Sequence, residues 1–119
     1  MSERPQETPA SKGLQCFAQD VRLRLSPWVE ELVLFGSRAR GTAAPWSDWD
    51  VLAVTQCRDR DRESELIDLA FEQLLRERIN ISVKWITREK RDQQVRAGAS
   101  FMMNVLRDGR SLWTRTTKS

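Results

Sequence analysis

"LFGSRARGTAAPWSDWDVLAV", Leu34 to Val54, holds two signals that folding does not require of one another: Gly36-Ser37 closes one apolar run, and Asp48-Trp49-Asp50 opens the next. Gly36 has no Cβ, so an anion can approach the main chain there, and a helical turn over "SRARGTA" would aim unpaired N–H groups at the same spot. Ser37 adds a hydroxyl donor, and Arg38 and Arg40 add positive charge. Asp48 and Asp50 are two residues apart, so on an extended strand both carboxylates project from one face while Trp49 projects from the other. Adjacent carboxylates repel unless a cation lies between them. Oxygen ligands with no His or Cys nearby favour Mg²⁺, which keeps several waters and is typically held by one or two carboxylates together with substrate phosphates. Taken singly, each half also suits an ordinary loop, Gly-Ser as a turn and "PWSDWD" as a segment whose Asp caps main-chain N–H groups. At this spacing, with apolar runs on both sides, the halves read together as one nucleotide and metal site.

Outward from this stretch, "ELVLFG" (31–36) and "DVLAV" (50–54) are short apolar runs that suit buried strands. "INISVKWIT" (79–87) alternates apolar Ile79, Ile81, Val83 and Trp85 with polar Asn80, Ser82 and Lys84, the period of a strand with one covered face. Between the second and third strands, "DRESELIDLAFEQLLRER" sets Leu66, Ile67, Ala70, Phe71, Leu74 and Leu75 on one helical stripe. Leu14, Phe17, Ala18, Val21 and Leu25 give an earlier helix closed by Pro27. After Thr87 the spacing predicts a solvated helix over "REKRDQQVRAG" stopped at Gly98. A second helix over "FMMNVLRD" follows, capped by Ser100 and ended by Gly109, and "SLW" (111–113) suits a last strand. The expectation is an α+β fold, a small mixed β-sheet flanked by helices, with one domain over 12–114 between flexible tails at 1–11 and 115–119.

Composition narrows the chemistry. The chain of 119 residues has no histidine, which removes the Ser-His-Asp and Cys-His schemes along with their general base. Cys16 and Cys57 are too few and too isolated for a disulfide framework or a zinc ligand set, and read as reduced thiols. The net charge of +3 is a small excess of 20 basic over 17 acidic residues, and the alternating "RDRDRESE" at 58–65 is the opposite of a nucleic-acid-binding patch. No apolar run reaches the roughly 20 residues of a membrane span, and the first residues lack the apolar core of a secretion signal, so the expected location is the cytoplasm. Trp28, Trp49, Trp85 and Trp113 suit core positions, while Trp46, just ahead of Asp48, is a candidate for stacking on a base.

Gly36-Ser37, ten residues, then Asp48-x-Asp50 resembles the signature of the DNA polymerase β-like nucleotidyltransferase superfamily, and more narrowly of its minimal nucleotidyltransferase (MNT) domains. "ISVKWITREK" and "SFMMNVLRDGRSLW" resemble the third strand and C-terminal end of that group, so the resemblance runs over about residues 30–114. It implies the nucleotidyltransferase fold, with Asp48 and Asp50 as catalytic residues and Mg²⁺ ligands, and with Gly36, Ser37, Arg38, Arg40, Ser47 and Lys84 on the nucleotide. The implied reaction transfers a nucleoside monophosphate from an NTP, ATP foremost, to a hydroxyl and releases pyrophosphate. MNT domains often pair with a HEPN-type protein, some as antitoxin to its toxin, so a homo- or hetero-oligomer is expected. One position departs from the pattern: active members usually set a third carboxylate on the next core strand, where this chain has Asn80, Ser82 and Lys84. Either Lys84 stands in for one metal's charge, or an acid arrives from Glu72, Glu77 or a partner, or the chain is a degenerate subunit acting by contact alone.

Overall fold

The computed structural model describes residues 9–114, with side chains from Ser11 onward. Along the chain run α1 (Pro9–Leu25), β1 (Val29–Phe35), α2 (Ser37–Arg40), β2 (Trp49–Thr55), α3 (Arg60–Glu77), β3 (Ile81–Thr87), α4 (Arg88–Ala97), α5 (Ser100–Asp108) and β4 (Arg110–Thr114). The strands form one sheet in the order β3-β2-β1-β4. β1 is antiparallel to β2 and β4, whereas β2 and β3 are parallel and therefore need the crossover that α3 provides. Of the segments expected as tails, 1–11 and 115–119, only Pro9 to Ser11 fall among the described residues, and they open α1.

Strand alternation sorts the core into two layers. On one face Leu32, Leu34, Val51 and Ala53 pack against Phe17 and Val21 of α1 and Leu66, Leu69 and Ala70 of α3. On the other, Val33 and Leu52 lie under Met102 and Val105 of α5, with Phe35 and Ile86 at the margin. α4 buries no side chain; ion pairs from Arg88 to Glu30 at 3.4 Å and from Arg91 to Glu31 at 3.5 Å tether it to β1. Trp28 and Trp113 fasten the layers by donating from Nε1 to the carbonyls of Cys57 (2.8 Å) and Ala18 (3.1 Å). Both cysteines are free thiols, and no helix among the described residues is long and apolar enough to cross a membrane.

Three local features differ from expectation. On α3, Leu66 and Ala70 are buried as expected, but Ile67, Phe71, Leu74 and Leu75 are 48, 55, 37 and 63% exposed, while Leu69 and Gln73 turn inward. The phase is set at the helix start, where buried Glu63 accepts hydrogen bonds from Arg58 Nε at 2.7 Å and the Asp59 main-chain N–H at 3.1 Å. A buried carboxylate must keep such partners, and holding it inward rotates the 67-71-74-75 stripe to the rim. α5 is capped by Ala99 rather than Ser100, which is its first helical residue, and no side chain caps it. Gly109 ends α5 with extended backbone (φ −67°) rather than a left-handed turn. Its bare Cα lets β4 pass closely under Val33, since a Cβ there would lie 2.7 Å from Val33 Cγ1.

Candidate functional site

β1 ends at Phe35, directly opposite Asp50 of β2. Gly36 follows with φ 76° and ψ −158°, a conformation other residues avoid, and reverses the chain into the single turn of α2. Its carbonyl accepts from the N–H groups of Ala39 and Arg40, both at 3.1 Å, and the Ser37 carbonyl accepts from Thr42 at 3.0 Å. The turn thereby leaves the N–H groups of Ser37 and Arg38 outside its own hydrogen bonding. A Cβ on Gly36 would lie 2.5 Å from Asp50 Oδ2, so the glycine main chain and the carboxylate share one small space.

Asp48 is exposed and steadied by Asn80, whose Nδ2 donates to Asp48 Oδ1 at 3.0 Å, while Trp49 N–H donates to the Asn80 carbonyl at 2.9 Å. Asp50 is half-buried. That burial, and then the charge of Asp48, push its pKa above the usual carboxylate value, and Lys84 and Arg40 pull in the opposite direction. A carboxylate so placed is relieved by a proton or a cation. Across the parallel ladder Ser82 stands opposite Asp50 and Lys84 opposite Leu52. Glu72 is paired with Arg76 at 3.8 Å, and Glu77 lies beside Gly13 on the α1 side, so neither brings a third acid to Asp50. Among the described residues no group of three acidic, cysteine or histidine side chains comes together to hold a metal. Two hard oxygen donors next to free N–H groups still suit Mg²⁺, which takes the rest of its shell from water and substrate oxygens.

The other candidate residues fall into two groups. Arg40 acts on Asp50 and lies 3.9 Å from Asp108 at the end of α5, and Lys84 acts on Asp50 from β3. Arg38 and Ser47 are instead engaged within the 42–48 loop. The Arg38 guanidinium donates to the carbonyls of Pro45 (3.0 Å) and Ser47 (2.9 Å) and lies 4.4 Å over the Trp49 ring. Ser47 Oγ accepts from Ala44 N–H at 3.1 Å. They fix the loop that delivers Asp48, and Trp46 stands at its tip, 83% exposed. Asn80 was visible in sequence only as a polar position of the third strand; its hold on Asp48 appears once β2 and β3 are paired. Beyond Lys84 a cleft of about 560 Å³ opens between β3, α4 and α5, with Leu52 and Ile86 as floor and Lys90, Gln94 and Phe101 as walls.

Residues 17–102 match the family model described as "Nucleotidyltransferase domain". A protein of Methanocaldococcus jannaschii that carries the provisional name protein adenylyltransferase is 31% identical over 102 residues, 83% of this chain and 68% of that protein. Among solved structures, the chain is similar to one in a crystal structure of a toxin–antitoxin with AMP-PNP, with a TM-score of 0.54 and 20% identity over 87% of this chain and 74% of that one. It is also similar to a provisionally named nucleotidyltransferase from Sulfolobus solfataricus, with a TM-score of 0.51 and 19% identity over 95% of this chain and 94% of that one. At these identities the two structures bear on the fold alone.

Proposed function

The chain belongs to the nucleotidyltransferase domain family, and from that premise we propose that it binds an NTP, ATP foremost, with Mg²⁺ and transfers the nucleoside monophosphate to a hydroxyl. The observation that supports this is the close approach of the Gly36 main chain to the Asp50 carboxylate, which sets a turn suited to phosphate beside a carboxylate suited to a metal. Ser37 and the free N–H groups of the turn hold phosphate oxygens, and Arg40 and Lys84 add positive charge on either side of Asp50. Asp48, steadied by Asn80, and Asp50 would hold Mg²⁺, which when bound offsets phosphate charge and polarises the phosphoryl group under attack. The acceptor oxygen bonds to the α-phosphorus as the bond to the bridging oxygen breaks. Pyrophosphate leaves with that electron pair, and the hydroxyl proton passes to solvent. The name of the M. jannaschii relative favours a protein hydroxyl as acceptor, and the resemblance of the sequence to MNT domains makes a HEPN-type protein the partner that would carry it. The folded unit of this reading is 12–114, acting in the cytoplasm as part of an oligomer.

Calorimetric titration of ATP with and without Mg²⁺ into the wild type and Asp48→Asn tests the reading. Mg²⁺-dependent binding, weakened about tenfold or more in the variant, is the expected result; equal binding by both proteins with and without the metal would overturn it.

A specific observation also favours a contact-only subunit: Ser82 occupies the register position beside Asp50 where a carboxylate could draw off the acceptor proton. Ser82→Asp separates the two readings. For a slow transferase the new carboxylate raises the rate of labelled-nucleotide transfer by about 10²-fold or more, the usual gain from a positioned general base, with ATP affinity little changed. No transfer by either protein, together with undiminished silencing of a partner by Asp48→Asn, identifies the contact-only subunit.

A further inference from the structure

We propose that the cleft beside β3 receives the acceptor and selects a protein segment whose reacting hydroxyl is flanked by acidic side chains; this rests on the nucleotidyl-transfer reading. In-line displacement places the attacking and leaving oxygens on opposite sides of the α-phosphorus. The Gly36–Ser37 turn lies at the end of β1, on one side of Asp50, and Ser82 and Lys84 lie on β3, on the other. With the leaving phosphates on the β1 side, the acceptor comes from the β3 side, where the cleft opens. Its volume of about 560 Å³ accommodates a few side chains.

The lining states what kind of segment fits. Lys84 and Lys90 bring two cations, Lys90 forms no ion pair among the described residues, and no acidic residue lines the cleft. Arg58 at the far end is already bound to Glu63. The floor is apolar, and Phe101 is held edge-on against Phe35 at 5.4 Å and 88°, leaving a ring for a flat or aliphatic group to rest on. An acidic protein segment offers carboxylates to the two lysines together with apolar stems or rings to the floor and to Phe101, a combination that a bare phosphate lacks. β3 is an edge strand, so its outer main chain is open to such a segment as well.

The test uses the full chain with Mg²⁺ and AMP-PNP. Fluorescent tyrosine peptides flanked by Asp and Glu, or by Asn and Gln, are titrated by anisotropy against the wild type and Lys90→Glu, and AMP-PNP affinity is measured on the same samples. In the wild type the acidic peptide binds about tenfold more tightly, the scale of one or two charge-assisted contacts. The preference disappears in Lys90→Glu, with AMP-PNP affinity retained. Equal binding of the two peptides, or a preference indifferent to Lys90→Glu, overturns the proposal while leaving nucleotide binding intact. Displacement of the peptide by AMP-PNP assigns the cleft to the nucleotide and also overturns it. Absence of Mg²⁺-dependent AMP-PNP binding marks failure of the underlying reading, and with it the cleft loses its role as an acceptor site.

Discussion

Asp50→Asn removes Mg²⁺-dependent nucleotide transfer and, in metal-free buffer, raises the melting temperature of the domain. Both effects come from one carboxylate whose pKa is raised by burial and by Asp48. Because the folded-state pKa exceeds the unfolded one, the native chain holds this proton to higher pH than the unfolded chain does. Stability therefore falls as pH climbs from the unfolded toward the folded value, and above that window the charged group costs a constant amount. Asn carries no charge and relieves that cost. Lys84, Arg40 and the partial exposure of the site keep the gain small. The gain shrinks as the buffer is taken down through the Asp50 titration, where the wild type protonates and the difference closes. Transfer moves the other way: losing a ligand for a metal that contributes several kcal/mol to charge stabilisation lowers the rate by about 10³-fold or more. Melts in chelator at neutral and acidic pH, paired with a transfer assay, check both arms. A variant that melts below the wild type would falsify the electrostatic account, and one that still transfers would remove Asp50 from the site.

Gly36→Ala disables the site by geometry. The added methyl meets Asp50 Oδ2 at 2.5 Å on backbone with φ 76°, so the turn must open or the carboxylate must leave. Backbone in this region costs a non-glycine residue about 1–3 kcal/mol before the clash is counted, which for a domain of this size lowers the melting temperature by roughly 5–15 °C. Gly98→Ala is the control: its φ is 67° and nothing lies within 4 Å of the new Cβ, so it bears the backbone cost alone. ATP titration of both variants should find Mg²⁺-dependent binding lost in the first and kept in the second. Equal retention in both would mean that the contact between Gly36 and Asp50 is not what assembles the site.

The strands that frame the candidate site were legible before folding because strand geometry is local. The apolar runs that end at Gly36 and begin at Asp50 are the strands that bring the halves together, while Asp48 lies one residue ahead of β2 and acts on Asp50 through its charge. What sequence could not give is which partners each side chain meets. Arg38 carries positive charge beside the Gly36–Ser37 turn, yet three carbonyl contacts and the Trp49 ring hold it in the loop, a competition decided by loop shape. On α3 the apolar residues cover a wider arc than the sheet and α1 can bury, so periodicity found the helix but not its phase. Glu63, a charged residue that hydropathy places outside, decided that phase from within.

The place of β4 bears on how the chain is made. Leu32 of β1 pairs with Ala53 on one side and with Trp113 on the other, so one neighbour of the central strand is synthesised soon after it and the other only after α5. At ribosomal rates of about 5–20 residues per second, β1 presents an open apolar edge for on the order of ten seconds after its first pairing. A stall between α3 and β4 therefore leaves a sheet in which β1, an inner strand of the finished fold, is paired on one side only.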